Sequence, residues 1–334
     1  MSNNFQHLGA QHMLRILSLR HVPLFTLLLT ILPINLPAQD SNVLYPIEEI
    51  ERKLVYDDFE IFRFRDLRFV GDIGKRVILK YADNKDLQIK WRRALKGGHE
   101  FNNAPRFEVA AYELQKLFLD ENEYPVPPTV CRAFSMEEYI KIEKDAIPTF
   151  KKPEVVLVMM QYWLNEVTVG GEVYDKEKFK NDPVYAKHFA NANILTHLIK
   201  HADSNEGNLL TSTDPDNPRV FTVDNGVTFS SQESNRGTKW RYIIVKRLPK
   251  KTIEALRGIT SEKLHKALGV IAQIDIKDGN IRSVDPTENI KEKRGVRHND
   301  SVIQLGLTKR EINSVEKRIK ALLKQVDKGR YELF

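Results

Sequence analysis

The chain has a single cysteine, Cys131, so no intramolecular disulfide forms and no cysteine-rich metal site exists. No histidine stands near Cys131 in the sequence to activate it, and the residue reads as a small buried hydrophobe. There is no zinc-finger spacing and no arginine–aromatic array, so nucleic acid is not an expected partner. Among 334 residues only one long apolar stretch occurs, Val22 to Leu36. It follows Arg15 and Arg20 and breaks at Pro33, Asn35 and Pro37. That is a charged region, a short apolar core and a small residue before a cut after Ala38. The stretch is short for a span of about 20 residues. Residues 1–38 are therefore expected to be a signal peptide or an uncleaved N-terminal anchor. In either case the rest of the chain faces outward, in the periplasm, cell envelope or medium.

The composition is otherwise that of a globular protein, 41% hydrophobic and 29% charged, with a net charge of +7 that reads mainly as a solvated surface. Residues 39–64 read as a linker and amphipathic entry segment. Short strands are expected at Arg65–Val70, Val77–Tyr81 and Leu87–Trp91, with turns at Gly71–Gly74 and Ala82–Asp86. Apolar residues from Phe107 to Phe118 recur at helical spacing and predict a helix over Arg106–Leu119. Val155–Met160 reads as a buried strand, Val184–Lys200 as a helix and Ile312–Val326 as the last helix. Beyond Trp240 the chain is expected to be mostly helical, with Lys277–Asn299 a polar, mobile insertion. The expected organisation is a strand-rich N-lobe over 65–154 and a mainly helical C-lobe over 155–334.

Chemistry concentrates in three places. His201-Ala202-Asp203-Ser204-Asn205-Glu206-Gly207-Asn208 fits H-x-D-x-x-x-x-N, the pattern of a kinase catalytic loop. There an Asp steers the proton of the acceptor hydroxyl and the Asn holds a metal ion. Taken alone, such a loop is also ordinary Asp/Asn turn chemistry. Downstream, an apolar strand runs into Asp224-Asn225-Gly226, the way a carboxylate is aimed at a phosphate-bridging metal. The third is a strand lysine. Leu87 and Ile89 face the core, so Lys90 faces the other side; Glu108, in the first turn of the next helix, is its candidate partner. Lys80, after Val77-Ile78-Leu79, is the rival. Taking Gly71 and Gly74 as the phosphate-covering turn makes Leu87–Lys90 the third strand and favours Lys90. Met159-Met160-Gln161 is a candidate hinge for adenine, by analogy with kinase architecture alone.

These segments resemble a known family. Arg106–Leu114, Val126–Val130 and Arg132 are similar to the helix and following loop of the secretory-pathway kinases that include the Golgi casein kinase and the glycosaminoglycan xylosylkinase. Ile89-Lys90-Trp91 occupies the place of that family's Phe-Lys-Pro-like context. Val223-Asp224-Asn225-Gly226-Val227-Thr228-Phe229 is similar to its Leu-Asp-Asn-Gly-x-x-Phe. The likeness runs from about Lys75 to Leu256. It departs after Asp203, where Ser204-Asn205-Glu206 replaces Arg-His-His, and in the lack of disulfides. The resemblance implies an α+β, two-lobe atypical protein-kinase-like fold. It implies ATP with Mg²⁺ or Mn²⁺ as cofactors, Lys90 and Glu108 at the phosphates, Asn208 and Asp224 as metal ligands, and Asp203 as the catalytic residue. The expected acceptor is a protein serine or a glycan hydroxyl. A catalytically inactive nucleotide-binding relative and a structural cell-envelope protein stay open as alternatives.

Overall fold

Alternation along Leu87–Arg93 decides the first sheet. Leu87, Ile89 and Trp91 are wholly buried in one apolar cluster, which leaves Gln88, Lys90 and Arg92 for the opposite face. The computed structural model describes residues 40–67, 73–99, 104–169, 174–229 and 241–334. The expected leader 1–38 and Gly71 lie outside them. From the N-terminal side the elements are α1 (Ile47–Val55), β1 (Glu60–Asp66), β2 (Gly74–Lys80), β3 (Leu87–Arg93) and α2 (Pro105–Gln115). Then come β4 (Thr129–Ser135), α3 (Met136–Tyr139), β5 (Phe150–Lys151), β6 (Glu154–Tyr162) and β7 (Val167–Val169). The middle holds α4 (Lys176–Asn181), α5 (Pro183–Ile199), β8 (Leu209–Ser212), β9 (Val220–Thr222), β10 (Arg247–Leu248), α6 (Lys250–Arg257) and α7 (Ser261–Gly269). The chain closes with β11 (Ala272–Lys277), β12 (Asn280–Val284), β13 (Val296–His298), β14 (Val302–Leu305), α8 (Lys309–Asp327) and β15 (Glu332–Leu333).

The first sheet is antiparallel in the order β1-β2-β3-β6-β4, with β5 hairpinned onto β6. One face carries Val77, Leu79, Leu87, Ile89, Trp91, Val158 and Met160 and is covered by Ile50 and Leu54 of α1. The expected lobe boundary at 154/155 falls at the start of β6, which is the fourth strand of this sheet; the first lobe's sheet therefore extends to Tyr162. β6 also has strands on both sides, paired through Met159, Met160 and Gln161 to β3 and β4. Its backbone is spent on the ladder, so the hinge reading of these three residues does not hold. Trp163, next along, likewise donates its N–H to the Gln88 carbonyl at 2.8 Å.

The second lobe is built on α5. Asp182 caps its N-terminus by accepting from the N–H groups of Val184 and Tyr185, Pro183 opens it, and Lys200 ends it in the left-handed region at φ 52°. Phe189, Ala192, Leu195 and Ile199 share one core with Ile312, Val315 and Leu322 of α8 and with Phe107, Ala111 and Leu114 of α2. Among the described residues no helix is long and apolar enough to cross a membrane.

Two expectations are corrected. The region beyond Trp240 is not mostly helical, and Lys277–Asn299 is not a loose insertion. β11–β14 form a four-stranded antiparallel sheet in the order β12-β11-β14-β13. Its inner face sets Ile274, Val296, Ile303 and Leu305 against Val109 of α2 and against Cys131, Ala133 and Leu157 of the first sheet. α2 is therefore buried along nearly its whole length rather than on a single face. Cys131 is a buried hydrophobe here, its thiol pushed up to about 12 by burial. If this sheet is integral, Ile303→Ala should lower stability by about 2–5 kcal/mol, the usual loss for a fully buried large-to-small change. Denaturant unfolding of the variant beside the parent reads it; a change below about 0.5 kcal/mol would mean the sheet is only loosely attached.

Candidate active site

Two short strands bring the loop motifs together. β8 and β9 pair antiparallel, with Leu209 opposite Thr222 and Leu210 opposite Phe221. Asn208 precedes the first and Val223 follows the second, and the Val223 N–H donates to the Asn208 carbonyl at 3.0 Å. The separation of Asp203 from Asp224 along the chain is thus the length of a hairpin. The loop is then tied down twice more. The Ala202 N–H donates to the Val227 carbonyl at 2.9 Å, and the Phe229 N–H to the Ile199 carbonyl at 2.6 Å.

Within the loop, the Asn208 side-chain amide donates to the Asp203 carbonyl at 2.7 Å and lies 3.5 Å from its carboxylate. Asn205 also donates to the Asp203 carbonyl, from its backbone N–H at 2.8 Å and its side chain at 3.1 Å. These bonds turn the chain around Asp203 and leave the Asn208 Oδ1 unused by them. His201 is fully buried, and its Nε2–H donates to the Asp224 carbonyl at 3.2 Å. Burial holds its imidazole down to about 4, so the ring is neutral and acts as a strut, not as a base. Sequence reasoning had not given His201 that role.

Asp224 sits in the left-handed region at φ 56°, a conformation Asp tolerates better than most residues. Its neighbour Asn225 is buried, its carbonyl accepting from Thr228 Oγ1 at 2.8 Å and its side chain contacting Thr222. This fixes the turn and aims the Asp224 carboxylate at β3. There the Lys90 ammonium pairs with it, and Arg92 Nη1 lies 3.7 Å away. Burial pushes the Asp224 carboxyl up, but Lys90, its hydrogen bond and Arg92 together outweigh that and hold it below the usual range.

Glu108 is also brought to this place, by a contact the sequence did not foretell. Its partner is not Lys90: the Asn225 N–H donates to Glu108 Oε2 at 2.8 Å. The reason is the turn, which presents that N–H to the first turn of α2 while Lys90 is already taken by Asp224. Burial first, then the Asp224 charge, push the Glu108 carboxyl up to about 7, against the pull of Lys90 and Arg92. Gly74 is the first residue of β2, buried and opposite Arg92. Lys80, the rival lysine, ends β2 over the Phe62 ring at 3.7 Å and takes no part. Arg92 was missed; the β3 alternation that selected Lys90 selects it equally.

Lys90, Glu108, Asp203, Asn208 and Asp224 therefore form one connected constellation between a strand-rich lobe and a largely helical one. The fold is that of an α+β, two-lobe, kinase-like protein. Solved structures share it, two of them as follows. The structure of hydra Fam20 with sugar is 14% identical, with 86% of this chain and 92% of that chain covered at a TM-score of 0.54. The Golgi casein kinase with Mn/ADP bound is 13% identical, with 86% and 77% covered at 0.54. No family model matches the chain, and no curated protein matches it.

The raised Glu108 has a measurable consequence. The folded protein keeps a proton there that the unfolded chain has released. This contribution to stability is present at low pH and is lost as pH rises from 4.5 towards about 7. Glu108→Gln keeps an acceptor for Asn225 but cannot ionise. With chelator and no nucleotide, its melting temperature relative to the parent should climb between about pH 5 and pH 7.5. His201 titrates with the opposite sign but is common to both proteins. A constant difference across that range would show that Glu108 ionises normally.

Proposed function

We propose that the chain is an ATP-dependent phosphotransferase that moves the γ-phosphoryl group to a hydroxyl of a protein serine or a sugar. The observation that carries this is the linkage of Lys90, Glu108, Asp203, Asn208 and Asp224, drawn from four segments, at one place between the lobes. The neighbours add support: one holds Mn/ADP and the other was determined with a sugar. The leader pattern of residues 1–38 supports export.

The donor set fits a divalent metal that arrives with nucleotide phosphates. Among the described residues no three His, Cys, Asp or Glu side chains gather into a ligand cluster. Mg²⁺ and Mn²⁺ bound with phosphates need only one or two carboxylates, and the hard oxygens of Asp224 and Asn208 provide that. When bound, the metal neutralises charge on the phosphates. With a nucleotide bound, Lys90 would be the cation for a phosphate oxygen in place of its pair with Asp224. Glu108 holds the Asn225 turn and so keeps the Asp224 carboxylate aimed. Asp203, fixed by the Asn205 and Asn208 bonds to its backbone, accepts or steers the proton of the acceptor hydroxyl. Positioning and charge do most of the work, since phosphoryl transfer asks little covalent help.

A second reading, a nucleotide-binding module without turnover, is favoured by one feature: Lys90 is held by Asp224 and not by Glu108. One experiment separates the two. Mn²⁺-ATP titrations and transfer from γ-labelled ATP are measured for the parent, Asp203→Asn and Asp224→Asn. The phosphotransferase reading expects Asp224→Asn to lose metal-dependent binding. Asp203→Asn should bind normally and turn over roughly 100-fold slower or worse. Binding without transfer in the parent would establish the module instead, and full activity in Asp203→Asn would remove the kinase-loop assignment.

A further inference from the structure

Arg92 is the charged group in the cleft to which the mechanism above gives no task. It stands two residues beyond Lys90 on the same face of β3, with its side chain only 13% exposed. Among the described residues its one ion-pair partner is Asp224, with the Glu108 carboxylate acting on it from farther off, and the 3.7 Å from Nη1 to the Asp224 Oδ1 is too long for a hydrogen bond. Asp224 is in any case taken by Lys90. The Arg92 Nε is buried and has no hydrogen-bond partner. A guanidinium so enclosed, with a donor unanswered, is costly unless an anion completes it. The residue directly opposite on β2 is Gly74, which places no side chain beside it. The wall therefore sets Lys90 and Arg92 side by side, and of the two only Lys90 is hydrogen-bonded to a carboxylate, that of Asp224.

We infer that Arg92 is a second polyphosphate-binding residue, its planar fork gripping nucleotide phosphate oxygens while Lys90 takes a neighbouring one. The ligand class is a nucleoside di- or triphosphate, and the inference rests on the nucleotide reading of the same cleft. A fork matches two phosphate oxygens at once, which a lysine at this position does not. The alternative is a structural cation that only steadies Asp224, and it makes a different prediction. A phosphate grip acts on the polyphosphate and spares the nucleoside end. A structural role weakens every nucleotide alike.

The test is calorimetric binding of ATP, ADP and AMP, each with Mn²⁺, to the parent, Arg92→Met and Arg92→Lys. Arg92→Met should weaken ATP binding roughly 10- to 100-fold and leave AMP within about twofold, as expected for lost hydrogen bonds to a charged group. Arg92→Lys keeps the charge and stem, guards against a misfolded Met variant, and should lose about 3- to 10-fold for ATP. ATP binding by both variants within about twofold of the parent overturns the inference while leaving the nucleotide reading intact, as does an equal loss for ATP and AMP. A parent that binds none of the three nucleotides overturns both.

Discussion

Lys90 and Asp224 come from opposite lobes; Lys90 is buried where they meet and Asp224 is partly exposed. An ion pair in such a place is not a source of net stability, because desolvation offsets most of the attraction. It matters because the buried Lys90 cannot be left alone there: an unpaired buried charge costs several kcal/mol. The first sheet must therefore present an ammonium where the Asp224 turn presents a carboxylate. The remaining contacts of the cleft serve that alignment. The β8–β9 hairpin sets where Asp224 emerges, His201 props its carbonyl, and Glu108 holds the next N–H.

α2 transmits this alignment to the body of the protein. Phe107, Ala111 and Leu114 belong to the helical core, while Val109 packs against the β11–β14 sheet. A helix clamped on both sides cannot slide easily, so Glu108 and the Asn225 turn are held in register. The same clamp accounts for the β11–β14 segment returning from far along the chain to the first lobe. Arg106 reinforces it by pairing with Glu311 at 2.8 Å, joining the start of α2 to the start of α8.

Strong periodicity was readable in advance: β3, β6, α5 and α8 all lie close to where apolar spacing put them. Both loop motifs were also legible as local residue patterns, which the β8–β9 hairpin then brings together. Three features were not. The β11–β14 strands are short and interleave polar with apolar residues, and in so short a strand an inward Ile274 or Ile303 does not stand out from a loop. Glu108 has a backbone partner, and no spacing rule announces a contact to an N–H made by a turn elsewhere. The extent of α2 burial depends on that unforeseen sheet. Arg92 was legible by the alternation that singled out Lys90, but a kinase pattern asks for one lysine and the eye stops there.

The central claim is that the cleft face of β3 is built to receive phosphate, with Lys90 as its main cation. Mn²⁺-ATP binding by Lys90→Met and Lys80→Met, measured calorimetrically beside the parent, tests it most directly. Lys90→Met should weaken binding at least about tenfold with the fold intact, the scale of a lost charge-assisted bond. Lys80→Met, which disturbs only a lysine over the Phe62 ring, should bind like the parent. A silent Lys90→Met, or a damaging Lys80→Met beside it, would contradict the account.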